Sequence, residues 1–226
     1  MSQQAFIECV SLSKKYNSKG SVITALENID LRIDENQIAI IKGRSGAGKS
    51  TLLNLMCGLI RPTSGKVIIG NDCISELSDN ALSRILTEKI GIIFQSFNLL
   101  PAYTVYENIV FGILNKGIDR NELNVSVLNL LDEFGLKGKE SALPSELSAG
   151  QQQKVAIIRS LIKNPSVIFA DEPTGSVDNE TAAEILNHLV NLKNTKKTTI
   201  VIATHGNISE EIADNVFVID NGNLRV

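Results

Sequence analysis

Cysteine is scarce in this chain: Cys9, Cys57 and Cys73 are the only three among 226 residues. They are widely spaced, odd in number and include no CxxC pair, which excludes a disulfide framework and a thiolate zinc site and points to a reducing cytosol. Cys57 stands in the apolar run 52–59 and reads as core. An excess of charge of one sign is also lacking. Lys and Arg number 22 against 25 Asp and Glu, for a net charge of −3, so no electrostatic footprint for nucleic acid or an anionic membrane surface exists. No apolar stretch approaches the roughly 20 residues that cross a bilayer. Residues 1–4 are polar and lack the basic-then-apolar pattern of a secretory signal. Work at a membrane is therefore expected to be done through a partner, with the chain itself cytoplasmic. Internal repeats, low-complexity tracts and long flexible linkers are missing as well.

What is present is ordinary globular composition, 43% hydrophobic and 21% charged, in a chain long enough to bury roughly 70–75% of its unfolded surface. Short apolar runs alternate with longer helical patterns, the grammar of an α/β fold with a mainly parallel sheet. Residues 6–10, 25–33 and 65–69 read as strands of a smaller antiparallel β layer. Residues 38–41, 90–94, 167–170 and 198–203 are apolar and rich in β-branched residues, as buried core strands are. Residues 216–220 and 224–226 flank Asn221-Gly222 and predict a terminal hairpin. Between 105 and 163 the pattern is helical, with turns at Gly117, Gly135, Gly138 and Pro144. A single domain over 1–226 is expected, with a helical lobe of about 98–163 inserted in the α/β core. Lys193, Lys196 and Lys197 read as a solvated loop before a strand.

The run Gly43-Arg44-Ser45-Gly46-Ala47-Gly48-Lys49-Ser50-Thr51 fits the phosphate-binding pattern GxxxxGK[ST], between an apolar strand and a helical stretch. Its glycines let backbone N–H groups point at phosphate oxygens, and the helix N-terminus adds partial positive charge. Lys49 would reach the β- and γ-phosphates, and Ser50 would give a hydroxyl to Mg²⁺. This pattern alone leaves kinases, GTPases and transport ATPases open.

Residues 167–172, Val-Ile-Phe-Ala-Asp-Glu, form an apolar strand ending in two carboxylates, whose alternating directions allow two jobs. Asp171 suits the Mg²⁺ shell. Glu172 suits accepting a proton from an attacking water, or orienting it. His205 follows the last core strand at its C-terminal end, where open α/β sheets gather ligands, and is a candidate γ-phosphate contact. His188 falls within a helical pattern and reads as packing or surface.

Leu147-Ser148-Ala149-Gly150-Gln151 opens a helix expected to run to about 163 and to stop at Asn164-Pro165. A serine hydroxyl and free backbone N–H groups at a helix N-terminus make a second anion site, far in sequence from the first. This run resembles the signature motif of ABC ATPases, LSGGQ, and Gln152-Gln153-Lys154 continues the likeness. Gln95 in Ile93-Phe94-Gln95-Ser96 resembles the family's Q-loop, Ser176-Val177-Asp178 its D-loop, and Tyr16 the aromatic that stacks on adenine. Residues 94–101, Tyr106-Glu107-Asn108 and residues 171–175 are similar to the MacB/LolD/FtsE-like branch. Ala149 departs from the usual glycine, a change a helix's first turn accommodates at negative φ.

The resemblance implies a P-loop NTPase (RecA-like) core with an antiparallel β layer and an inserted helical lobe. It implies ATP and Mg²⁺ as ligands, with Gln95 sensing both Mg²⁺ and water. It further implies a head-to-tail homodimer, each ATP lying between one copy's P-loop and the other's Ser148, Gly150 and Gln151, with Asp178 crossing between sites. The partner implied is a separately encoded integral membrane permease used for export, extraction or mechanotransmission, with no nucleic acid. Two alternatives remain: an FtsE-like ATPase controlling an extracytoplasmic enzyme, and a non-transport ABC ATPase. The short span from Lys49 to Leu147 leaves no room for the coiled coil of the DNA-repair types.

Overall fold

Alternation between buried and exposed side chains builds the first layer. In the computed structural model, which describes residues 5–18, 20–113, 118–206 and 208–225, β1 (Ile7–Ser18) and β2 (Ser21–Ile33) pair antiparallel with Ile7 opposite Ile33. Leu26, Ile29, Leu31 and Ile33 of β2 turn inward and are buried. β3 (Ile38–Lys42) has no such alternation; its first four residues are buried, as a strand covered on both faces must be. The chain then passes through α1 (Lys49–Met56), β4 (Ser64–Ile69), β5 (Asp72–Cys73), α2 (Asp79–Glu88) and β6 (Ile90–Ile93). Three helices follow, α3 (Val105–Val110), α4 (Arg120–Glu133) and α5 (Ala149–Leu161), and then β7 (Val167–Asp171), α6 (Asn179–Lys196) and β8 (Thr199–Thr204). The C-terminal strands are β9 (Asn215–Asp220) and β10 (Asn223–Arg225).

Two sheets result. One is antiparallel, in the order β2-β1-β4-β5; the other runs β10-β9-β3-β8-β7-β6. In the second, β9, β3, β8, β7 and β6 are parallel, and only β10 is antiparallel to its neighbour. Parallel strands end at one rim, so the C-terminal ends of β3, β7 and β8 lie side by side, with Lys42 opposite Thr204 and Asp171 opposite Ala203. That rim is where an open α/β sheet presents its ligand groups.

Each face of the larger sheet has its own core. Ile41, Phe169 and Val201 pack toward α1 and the antiparallel layer, joined by Leu52, Leu53 and Met56. Ile40, Ile168 and Ile202 pack toward α3, α4, α5 and α6, joined by Ile109, Leu131, Ile158 and Leu189. The helical lobe thus shares a core with the sheet. Cys57 is fully buried, and burial pushes its thiol up to about 12, an inert packing residue.

Several local expectations need correction. β1 and β2 run well beyond residues 6–10 and 25–33, because the two strands pair with each other out to Ser18 and Ser21. Lys193 and Lys196 are not in a loop but in the last turn of α6, where cations oppose the helix dipole; Lys197 is its left-handed cap. Lys193 is also ion-paired with Asp214 at 2.7 Å. α2 has no counterpart among the elements expected from the sequence. The helix from residue 149 ends at Leu161 with Ile162 still helical as its cap, and the chain turns left-handed at Asn164, where the stop is expected. β9 is more than half of a hairpin, since it also joins β3 in parallel. The polar residues 1–4, the turn at Gly117 and Val226 of the terminal hairpin lie outside the described residues.

Candidate functional site

The loop between β3 and α1 is shaped by what its glycines lack. A Cβ on Gly43 would sit 2.4 Å from the Ile219 carbonyl oxygen. One on Gly48 would sit 2.8 Å from the Ala25 oxygen, and Gly48 caps α1 at φ +112, which side chains do not adopt without strain. The loop thereby closes tightly between the two sheets, with Ala25, Gly46, Gly48, Lys49, Ser50 and Thr51 lining a small open cavity. Arg44, Ser45 and Gly46 are exposed at its tip, and the Ala47 amide donates to the Arg44 carbonyl at 3.1 Å. Lys49 is buried, and its Nζ curls back to donate to the Gly43 and Arg44 carbonyls at 2.9 and 3.2 Å.

Facing it at the rim are the two carboxylates. Asp171 ends β7 with Oδ1 buried and without a hydrogen-bond partner. Burial pushes its carboxyl above the ordinary range, while the nearby Ser50 hydroxyl acts the other way. An orphaned carboxylate oxygen beside a serine hydroxyl fits a hard divalent cation that completes its shell with phosphate and water oxygens. The described residues contain no group of three or more His, Cys, Asp or Glu, so a cation held wholly by such side chains does not fit.

Glu172 is the most constrained group in the site. Its backbone is left-handed at φ +48, its amide donates to the Ala203 carbonyl at 2.9 Å, and its side chain is 7% exposed. Oε2 accepts from Thr204 Oγ1 at 3.0 Å and Oε1 from the His205 amide at 2.7 Å. His205 Nδ1 lies 2.5 Å from the same Oε1, and Lys49 Nζ lies 3.9 Å from it. His205 is thus brought to Glu172, with its own side chain 55% exposed.

The remaining sequence-selected residues fall into two groups. Gln95 leaves the end of β6 in an exposed turn, and β6 pairs with β7 through Ile93 and Ala170, alongside Asp171. Tyr16 is 40% exposed on β1 opposite Ile23, two residues along β2 from the Ala25 that abuts Gly48, with Lys14 Nζ 5.1 Å above its ring. Tyr16 thus neighbours the strand segment that abuts the phosphate loop, and Gln95 stands at the β6 edge of the same sheet rim. The second group forms a separate unit at the start of α5. Ser148 caps that helix, its Oγ accepting from the Gln151 amide at 3.3 Å while Gln151 Oε1 accepts from the Ser148 amide at 3.0 Å. Gly150 abuts Thr181 of α6, where a Cβ would come within 3.0 Å. Asp178 caps α6, accepting from the Thr181 amide and hydroxyl at 2.9 Å each, bonds that hold its carboxyl below the usual range.

Sequence reasoning missed two participants. Thr204 is 2% exposed and bonds both Glu172 and the Gly206 amide; its position beside His205 at a strand end was the available signal. Gln153, 1% exposed, donates to the Pro173 carbonyl at 2.8 Å. A polar residue on the buried stripe of an amphipathic helix was the sign there.

Fold and loop together define a P-loop nucleoside triphosphatase. The family model described as ABC transporter matches residues 26–175, and the chain belongs to that family as an ATP-binding ABC ATPase domain. The methionine import ATP-binding protein MetN of Staphylococcus saprophyticus is 44% identical over 219 residues, 96% of this chain, which spans only 64% of MetN's length. The ABC transporter ATP-binding protein YtrE of Bacillus subtilis is 40% identical over 90% of this chain and 88% of its own. The bacterial ABC transporter cassette MJ0796, solved as a dimer, superposes with a TM-score of 0.92 at 35% identity over 97% of each chain. A second structure of MJ0796, in a post-hydrolysis state bound to ADP and Pi, gives 0.90 at 34% identity, again over 97% of each chain. These names do not specifically support the MacB/LolD/FtsE-like branch, and MetN's names an importer, so export or extraction gains no support.

Proposed function

We propose that this chain is the ATP-hydrolysing subunit of an ABC transporter, working as a homodimer that drives a separate integral membrane permease from the cytoplasmic face. The observation that carries the hydrolytic role is the buried Glu172 carboxylate, oriented by Thr204 and His205, 3.9 Å from Lys49 Nζ. Lys49 would exchange the Gly43 and Arg44 carbonyls for β- and γ-phosphate oxygens, while the amides of residues 43–51 cradle the phosphate chain. Ser50, Asp171 and Gln95 would hold Mg²⁺ together with phosphate and water oxygens; the ion would supply neutralisation of developing phosphate charge. Glu172 would take the proton of the attacking water. His205, whose Nδ1 faces Glu172, keeps Nε2 for the γ-phosphate. Tyr16 would stack on adenine.

Ser148, Gly150 and Gln151 form a capped helix start occupied with Thr181 and with one another. The dimeric MJ0796 supports assembly of two copies; in such a dimer these residues would serve the second copy's γ-phosphate, with Asp178 at the crossing. Among the described residues no helix is long and apolar enough to cross a membrane.

Glu172→Gln tests the assignment. ATP should still bind, hydrolysis should fall about 10²–10⁴-fold, and gel filtration with ATP should show a trapped dimer. Turnover at the normal rate would remove Glu172 as the proton acceptor.

A further inference from the structure

Helix α5 is fastened within its own chain to both loops that carry the water-side groups. Gln153 is 1% exposed, and its Nε2 donates to the Pro173 carbonyl at 2.8 Å. Pro173 directly follows Glu172, whose left-handed backbone at φ +48 is a conformation that its surroundings must hold in place. The other end of the Gln153 amide, Oε1, is buried with no partner. A residue that served packing alone would be better apolar, because a stranded amide oxygen is costly in a core. The retained amide therefore marks the bond to Pro173 as what selects glutamine.

Arg159, further along the same helix, does the same for the other loop. Its Nη2 donates to the Phe97 carbonyl at 2.7 Å and its Nη1 to the Asn98 carbonyl at 2.5 Å. Both of those residues are left-handed, at φ +56 and +51, in the turn that begins at Gln95. Two consecutive strained residues present adjacent carbonyls, and the planar guanidinium fork spans both, which a lysine ammonium cannot do in the same geometry. Burial lowers the pKa of Arg159, the mark of a cation drawn out of water to reach backbone carbonyls.

We propose that Gln153 and Arg159 are positioning residues for ATP hydrolysis, bolting the helix that begins at Ser148 to the loops that orient Glu172 and Gln95 in the same chain. This rests on the ATPase reading above. The test is steady-state ATP hydrolysis by the full chain, with binding of a fluorescent trinitrophenyl-ATP and thermal melting run in parallel, for wild type, Gln153→Met, Gln153→Glu, Arg159→Lys and Arg159→Met. Each variant should lose about tenfold in kcat, the rate equivalent of one forfeited hydrogen bond, with KM and probe affinity within about twofold of wild type. An unchanged kcat, or a loss in kcat matched by equal loss of probe affinity, overturns the proposal. Arg159→Lys keeps the charge and most of the side-chain length, so it decides the matter if a methionine variant fails to fold, and Gln153→Glu is counted only where its melt matches wild type. A wild-type chain that binds the probe but hydrolyses no ATP would sink the ATPase reading instead.

Discussion

Thr204→Val isolates the clamp on Glu172. The two side chains are nearly isosteric, Thr204 is 2% exposed, and its hydroxyl both donates to Glu172 Oε2 and accepts from the Gly206 amide. Gly206 is exposed, so water replaces that acceptor at little cost. Glu172 is 7% exposed, and no water takes its place beside Oε2 without opening the rim. A hydrogen bond to a charged group contributes about 1.5–3 kcal/mol, and the gain from burying a methyl in place of a hydroxyl offsets part of it. The net expectation is a loss of about 1–2 kcal/mol in unfolding free energy. For a domain of this size that lowers the melting temperature by roughly 2–8 °C. Urea unfolding at neutral pH measures it, read as a lower midpoint at unchanged slope. ATP turnover should fall in the same variant, because the freed carboxylate samples orientations away from the phosphates. A midpoint identical to wild type, with unaltered turnover, would refute the idea that Thr204 holds Glu172.

Gly48→Ala should all but abolish nucleotide binding. It places a side chain at φ +112 and 2.8 Å from the Ala25 oxygen, which together cost about 3–5 kcal/mol, and a nucleotide-binding titration will show the loss. His188 stacks on Phe134 at 4.0 Å, and burial holds its pKa below 6.5. Stability linked to it is therefore fully present above pH 6.5 and is lost as pH falls through the lower folded value. His188→Gln should flatten that acid slope in urea midpoints taken across the range, and an undiminished slope would assign it to other groups.

Legibility from sequence followed locality. The phosphate loop could be read because its requirements are met within nine consecutive residues, Gly43 to Thr51, between a strand and a helix. The start of α5 could be read because Ser148 and Gln151 satisfy one another three residues apart. α2 lies outside the expected elements although its signs are local: Ser78 caps it, its side chain accepting from the Ala81 amide, and Leu82, Ile85 and Leu86 form an apolar stripe at helical spacing. The lysines at 193 and 196 were misplaced because a helix's polar last turn and a polar loop have the same composition. Ile185, Leu189 and Leu192 are the buried stripe of that helix, and their spacing of four and three residues is the local sign that separates it from a loop. Thr204 escaped notice because its partner is Glu172, 32 positions away.

The amino-acid sequence alone determined that a nucleotide site exists, which strand and helix flank it, and that Asp171, Glu172 and His205 end core strands. Those features follow from backbone sterics and from side-chain periodicity, which act over a few residues. Tertiary structure decided that β3 lies between β8 and β9, and so that Asp171 and Thr204 reach the rim beside Lys49. It also decided that Glu172 is gripped by Thr204 and His205, and that α5 is tied to Pro173 and to residues 97–98. Strand order and such long-range bonds come from burying apolar faces contributed by distant segments, a condition that only the assembled chain meets.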